Sequence, residues 1–339
     1  MPFATTGKTI LHEWDELPQS PFNDDLYKTS IENQHDNRYS DVLALESTRV
    51  NLSNYFYINA NYIQISDNFR TIATQAPLPT TFENFWQMII DNKTAVIVML
   101  TKLTERNRQK ADCYWPTSKS EPLYFDNFSV HLSKEYSINE NTHIREFIIE
   151  IESENDESDS MEDSGENTIL NVKHIHFTGW PDFGVPESTE EIRIIAKIVL
   201  DSTGVPVVHC SAGIGRAGSF LAIVNYFYQH QNEEKKKSVF DIVSTMRNQR
   251  MGIVQTYEQY CFIYQTINDE CSRSQTAKVN QSRSTSPPPL LRSSSTSTVN
   301  KIYRTAPIII GVLFCMFIYA KSTWKPTSTP QSWMKFISM

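Results

Sequence analysis

Two segments of this chain are apolar at nearly every position, TAVIVML at 94–100 and VPVVHC at 205–210. A half-exposed strand alternates, because successive side chains point to opposite faces; one without alternation must be covered on both. Three further segments, FENFWQMIID, ESTEEIRIIAKIVLD and SVFDIVSTMRNQR, repeat their apolar residues with helical period. Buried strands with helices available to cover them predict one α/β domain with a largely buried sheet.

Charge locates the edge of that domain. Nine of the 31 Lys+Arg and none of the 39 Asp+Glu follow residue 270, which leaves −17 before it and +9 after it, summing to −8. An acidic body repels a phosphate backbone, so nucleic acid is not an expected partner. The five cysteines are odd in number, without a C-x-x-C pair or metal-ligand spacing, as in a reduced, cytosolic protein. Neither a metal nor a cofactor is implied. The N-terminus lacks an apolar core of the kind a secretory signal needs.

The expected layout is an N-terminal extension at 1–29, a folded body at 30–270 and a Ser/Pro-rich disordered linker at 271–305. Within the body, 152–166 holds eight acidic residues and no basic ones and reads as a solvated loop insertion. Residues 306–320, APIIIGVLFCMFIYA, carry no charge and are flanked by Lys301, Arg304, Lys321 and Lys325. Fifteen helical residues give about 22 Å against a hydrocarbon core of about 30 Å, so a span draws in flanking residues and a snorkelling Lys321. Residues 271–305 offer no core in which to bury the run, so it reads as a C-terminal membrane helix followed by a short tail at 321–339. The body would then face the cytoplasm, with the endoplasmic reticulum favoured over the mitochondrial outer membrane.

Chemistry concentrates in HCSAGIGRAGSF, His209 to Phe220. A buried strand ends at Cys210, a glycine-rich turn follows, and a helix begins near Arg216. Strand, small-residue loop and helix N-terminus make an anion cradle in which backbone N–H groups converge and the helix dipole adds positive potential. A thiol at such a mouth ionises easily and is then nucleophilic. Arg216 offers a planar fork for two oxygens of a phosphoryl group.

VHCSAGIGRAGSF resembles the signature loop of the cysteine-dependent protein tyrosine phosphatases, and the rest of the body resembles that family in order. NRYSDV (37–42) is similar to its phosphotyrosine-recognition loop, and YINANYI (57–63) and TQAPLPTTFENFWQMI (74–89) to its core segments. ERNRQKADCYWP (105–116) is similar to the segment bearing a Glu and a Lys near the active site, WPDFGVPES (180–188) to the mobile acid loop, and RNQRMGIVQTYEQY (247–260) to the glutamine loop. The layout is similar to that of tail-anchored non-receptor members, types 1 and 2.

The resemblance implies a twisted mixed β-sheet flanked by helices and hydrolysis of phosphotyrosine in proteins or peptides through a cysteinyl-phosphate, regulating tyrosine-kinase signalling. Cys210 would be the nucleophile, Asp182 the general acid and then base, and Gln255 and Gln259 would orient the attacking water. Arg216 with the loop residues Ser211, Ala212, Gly213, Ile214 and Gly215 would hold the phosphoryl oxygens. Tyr39 would stack on the substrate ring and Asp41 would accept from the substrate backbone. His209 would support the loop, while Glu105 and Lys110 would position Arg216 and Asp182.

Three positions depart from the family pattern. Ala217 stands where a Ser or Thr usually donates to the cysteine sulfur, Phe56 precedes YINA where a small or acidic residue is commoner, and Ser40 replaces a frequent base. Ala217 is the ground for a rival reading, a slow or inactive phosphatase domain serving as a phosphotyrosine-binding module.

Overall fold

The structure is a computed structural model that describes residues 9–20, 23–152, 168–181, 184–232 and 236–284; of residue 65 and residues 274–284 it describes the backbone. Asp182, most of the acidic insertion and the 306–320 run lie outside the described residues. No helix among the described residues is long and apolar enough to cross a membrane.

Helices α1 (Ile10–Glu16) and α2 (Lys28–Glu32) lead into the hairpin β1 (Ala60–Ser66) and β2 (Phe69–Thr74). Helix α3 (Phe82–Asp91) and strand β3 (Val96–Met99) follow, then the small ribbon β4 (Thr104–Glu105) and β5 (Arg108–Gln109). A meander comes next: β6 (Leu123–Tyr124), β7 (Phe128–Asn139), β8 (Thr142–Ile151) and β9 (Thr168–Phe177). The chain closes with α4 (Glu190–Leu200), β10 (Val207–His209), α5 (Arg216–Gln231), α6 (Val239–Arg247) and α7 (Tyr257–Ser284). Eight strands form one mixed sheet in the order β1-β2-β10-β3-β9-β8-β7-β6. Its centre, β2, β10, β3 and β9, is parallel, and its flanks are antiparallel.

The two apolar runs of the sequence are the central strands β3 and β10, and every residue in both is buried. Val96, Val98 and Val208 face one hydrophobic cluster with residues of α4, α5, α6 and α7, while Ile97, Met99 and Val207 face a second with α3, Tyr114 and Trp115. Strand periodicity thus distributes one run of valines, isoleucine and methionine between two cores. Helix α5 is buried on nearly every side from Arg216 to Asn225. It is a central helix, walled in by α4, α6, α7 and the sheet.

Two boundaries differ from the sequence reading. Helix α7 continues to Ser284, through the first fourteen residues assigned to linker, because their Ser, Gln, Lys and Arg composition contains no proline or glycine to stop it. The N-terminal extension contributes α1, which packs on α7: Glu13 is 1% exposed and accepts hydrogen bonds from the hydroxyls of Tyr260, at 2.9 Å, and Tyr264. A polar residue buried between two distant tyrosines leaves no periodic trace.

Candidate active site

Strand β10 delivers Cys210 to the C-terminal edge of the sheet, where the chain turns through 210–215 into α5. The carbonyls of this turn are all taken from outside it. Cys210 O faces His209 Nδ1 at 3.1 Å, Ser211 O accepts from the Ala76 amide at 3.0 Å, and Ile214 O accepts from the Val254 amide at 3.0 Å. Ala212 O and Gly213 O accept from the guanidinium of Arg250 at 3.1 and 2.9 Å, and Gly215 O accepts from the Ser219 amide at 2.9 Å. In a planar trans peptide the N–H points opposite the C=O. Six carbonyls drawn outward therefore turn the following amides inward, and the helix N-terminus adds its own N–H groups to the same concavity.

Glycine is required at one point of the turn. Gly213 has φ +74°, and a Cβ there would lie 2.1 Å from the carbonyl oxygen of Thr74 at the end of β2. A Cβ on Gly215 would lie 2.9 Å from Nε2 of Gln259 and 3.1 Å from Oε1 of Gln255. Both glutamine amides thus rest against the loop. Gln259 Oε1 also accepts from the Gln255 and Thr256 amides, at 3.0 and 3.3 Å, which ties the glutamine loop to the start of α7.

Arg216, the first residue of α5, is clamped. Its Nη1 and Nη2 donate to the two oxygens of Glu105 at 2.6 Å each, and Nη1 also reaches Leu100 O at 3.2 Å. Burial alone would raise the Glu105 pKa. The hydrogen bonds and charge of Arg216, with the Lys102 amide and the Thr101 hydroxyl, outweigh it and hold the carboxyl below its ordinary range. A fork held by its two terminal nitrogens is fixed in plane before any ligand arrives.

Ser211 bridges two neighbouring segments. Its hydroxyl donates to Lys110 O at 2.6 Å, so the Tyr39 hydroxyl, 2.8 Å away, is the donor to Ser211 Oγ. Arg38 anchors that tyrosine's loop through Ala76 O and Pro77 O, both at 2.8 Å, and through an ion pair with Asp112 at 2.6 Å. Asp41 lines an adjoining cavity of about 380 Å³ with Trp14, Asp15, Ile214, Arg247 and Gln255. A larger cavity of about 710 Å³ opens beside Glu105, Trp180 and Pro181; the smaller one reaches the cysteine loop at Ile214.

The structure therefore gathers Cys210, Arg216, Glu105, Tyr39, Ser211, Gln255 and Gln259 around one loop, with His209 behind it and Asp41 beside it. Lys110 enters through its backbone carbonyl. Asp182 falls outside the described residues. Sequence reasoning missed Arg250, whose Nη1 and Nη2 also bond Asn61 Oδ1 at 2.7 Å and Asn59 Oδ1 at 2.9 Å. Its trace was faint: two asparagines at alternate positions of YINANYI.

A loop whose amides converge on one concavity, headed by a cysteine and closed by a clamped arginine, defines a class, and comparison with known proteins agrees. The family model described as protein-tyrosine phosphatase matches residues 33–269, and the chain belongs to that family. Among its relatives, tyrosine-protein phosphatase non-receptor type 20 of Mus musculus is 39% identical over 265 residues, 76% of this chain. The Homo sapiens protein of the same name is 41% identical over 243 residues, 69% of this chain. The chain spans 59% of the mouse relative and 54% of the human one. The crystal structure of the Trypanosoma cruzi protein tyrosine phosphatase TcPTP1 superimposes with a TM-score of 0.68 at 28% identity, covering 78% of this chain and 92% of that one.

Proposed function

We propose that this chain hydrolyses phosphotyrosine in proteins through a cysteinyl-phosphate. The Cys210 thiolate attacks phosphorus; the bond to the tyrosyl oxygen breaks, and Asp182 gives that oxygen its proton. Water held by Gln255 and Gln259 then attacks phosphorus while the Asp182 carboxylate takes its proton. The P–S bond breaks, inorganic phosphate leaves and the thiolate is restored. Arg216 and the inward amides of 211–216 stabilise the equatorial oxygens in both steps, where charge is redistributed. Tyr39 forms the wall against which the substrate ring stacks, and Asp41 accepts from the substrate backbone.

The observation that carries the reading is the loop itself, whose six carbonyls are engaged from outside and whose arginine is held by Glu105. An anion cradle formed before binding suits phosphoryl transfer, which asks the protein chiefly for positioning and charge stabilisation.

Attachment to a membrane through 306–320 is part of the proposal. It is supported by fifteen uncharged residues flanked by bases, with the folded domain on the cytosolic side and the endoplasmic reticulum as the favoured membrane. Phosphate release from phosphotyrosine and phosphoserine peptides tests the activity. Turnover of the first only, lost in Cys210→Ser, with substrate retained by Asp182→Ala, is expected. Turnover by Cys210→Ser, or equal rates on both peptides, would contradict it.

A further inference from the structure

Behind the cysteine loop, buried polar groups form a chain whose direction is fixed at both ends. His209 Nδ1 lies 3.1 Å from the carbonyl oxygen of Cys210. A carbonyl only accepts, so the imidazole proton sits on Nδ1 and Nε2 is a lone pair. That lone pair takes the hydroxyl proton of Tyr114 at 2.7 Å. The Tyr114 oxygen then accepts from His174 Nε2 at 3.0 Å, which leaves His174 Nδ1 as a lone pair. It faces Nη1 of Arg145 at 3.5 Å, and a guanidinium only donates. The order Arg145, His174, Tyr114, His209, Cys210 carbonyl follows from either end, and the two derivations agree.

The imidazoles are neutral at physiological pH. Burial pushes the His209 pKa down to about 3 and that of His174 well below its usual value, and the Arg145 charge adds to the depression at His174. His176 beside them is lowered to about 4 by burial, and it pairs with Thr101 O at 2.7 Å. Arg145 itself is held in place: its Nε pairs with Glu135 of β7 at 2.8 Å, and its guanidinium lies 4.6 Å from the ring centroid of Trp115.

We infer that Arg145 and His174 are positioning residues for Cys210: through Tyr114 they keep the His209 proton on Nδ1, and so hold the Cys210 carbonyl turned away from the anion cradle. The inference rests on the proposed reading of Cys210 as nucleophile. If Tyr114 or His174 stopped donating, His209 would be free to carry its proton on Nε2. Its Nδ1 lone pair would then oppose the Cys210 carbonyl, and the 210–211 peptide would rotate. Because that peptide is planar, the Ser211 N–H would leave the cradle with it. The Arg145 end of the chain, on β8, would thus act on the loop without touching a ligand.

The test is nitrogen-15 NMR of labelled histidines in the full chain, read beside alkylation of Cys210 by iodoacetate, whose carboxylate uses the same cradle. Wild type should carry its protons on His209 Nδ1 and His174 Nε2. Arg145→Met, which retains apolar cover over Trp115, should lose the single His174 tautomer and slow alkylation roughly three- to tenfold, while Arg145→Lys restores most of the rate. Should Arg145→Met fail to fold, Tyr114→Phe keeps the ring and removes only the donor, and should mix the His209 tautomers with the same loss of rate. Unchanged tautomers in the variants would overturn the inference, whether the rate falls or not, and so would altered tautomers with an unchanged rate. Alkylation of another cysteine before Cys210 in wild type would instead contradict the nucleophile reading, since the tautomers are observed independently of it.

Discussion

Arg250 is fully buried, and no carboxylate among the described residues pairs with it; four neutral oxygens, two carbonyls of the loop and two asparagine side chains, share its guanidinium. Burial draws its pKa down to about 10, so it keeps its charge at neutral pH. A buried cation that bonds four oxygens organises the acceptors around it, and removing it strands them. Arg250→Met should therefore cost about 3 kcal/mol in urea unfolding and lower kcat/KM for a phosphotyrosine peptide at least about tenfold. Ala217 is the second residue with a consequence. It is fully buried, and the nearby Ser219 hydroxyl donates to Gly215 O at 2.9 Å, so it is committed to the helix's own backbone. With no hydroxyl at 217 to assist the leaving sulfur, breakdown of the phosphoenzyme should limit turnover. Rapid mixing with an aryl phosphate should show a burst of phenol, and Ala217→Ser should raise the steady-state rate; a linear time course with no gain would remove the idea.

At the scale of elements, α1 and α7 bear on the site through the glutamine loop between α6 and α7. Arg247, at the end of α6, donates to Ile253 O, Val254 O and Pro18 O and lies over Trp14 of α1 at 4.9 Å. Glu13 fastens the other side of α1 to Tyr260 and Tyr264. Glu13→Ala removes the buried carboxylate on which the Tyr260 and Tyr264 hydroxyls converge and should lower unfolding stability by about 2 kcal/mol, seen as a lower denaturation midpoint. Elements of this kind divide by how far their cause is local. Strands β3 and β10 and helices α3, α4 and α6 were legible because unbroken apolar runs and 3.6-residue periods are written along the segment. The cysteine loop was legible because its residue types and spacing carry its chemistry. The roles of Arg250, Glu13 and Tyr114 were not, since each is decided by partners tens to hundreds of residues away, and in sequence an arginine, a glutamate or a tyrosine reads as surface or core without distinction. The extension of α7 to Ser284 was missed for the opposite reason: composition suggested linker, while the absence of a stop signal let the helix run.

Across the molecule, the three buried imidazoles set a response to acid. His174, His176 and His209 have folded-state pKa values below the ordinary 6.5, chiefly through burial. Below pH 6.5 the unfolded chain takes up protons that the folded one refuses, so their contribution to stability is complete above that pH. It falls as pH drops, down to the folded values near 4 and 3 for His176 and His209. Each should cost about 1.4 kcal/mol per pH unit within that window. Urea midpoints measured from pH 7.5 to 5 should decline accordingly, and His176→Gln should make the decline shallower; an identical slope in that variant would show that the ring is not the source. The central claim, that an acidic α/β domain uses this fold to pass a phosphoryl group through Cys210, is tested most directly by acid quenching of wild-type protein within one turnover of a phosphotyrosine peptide, followed by mass analysis of its cysteine peptides. The account predicts one phosphoryl group on the peptide containing Cys210 and none in Cys210→Ser. Turnover with no phosphoryl group on that peptide, or with the group on another residue, would contradict it.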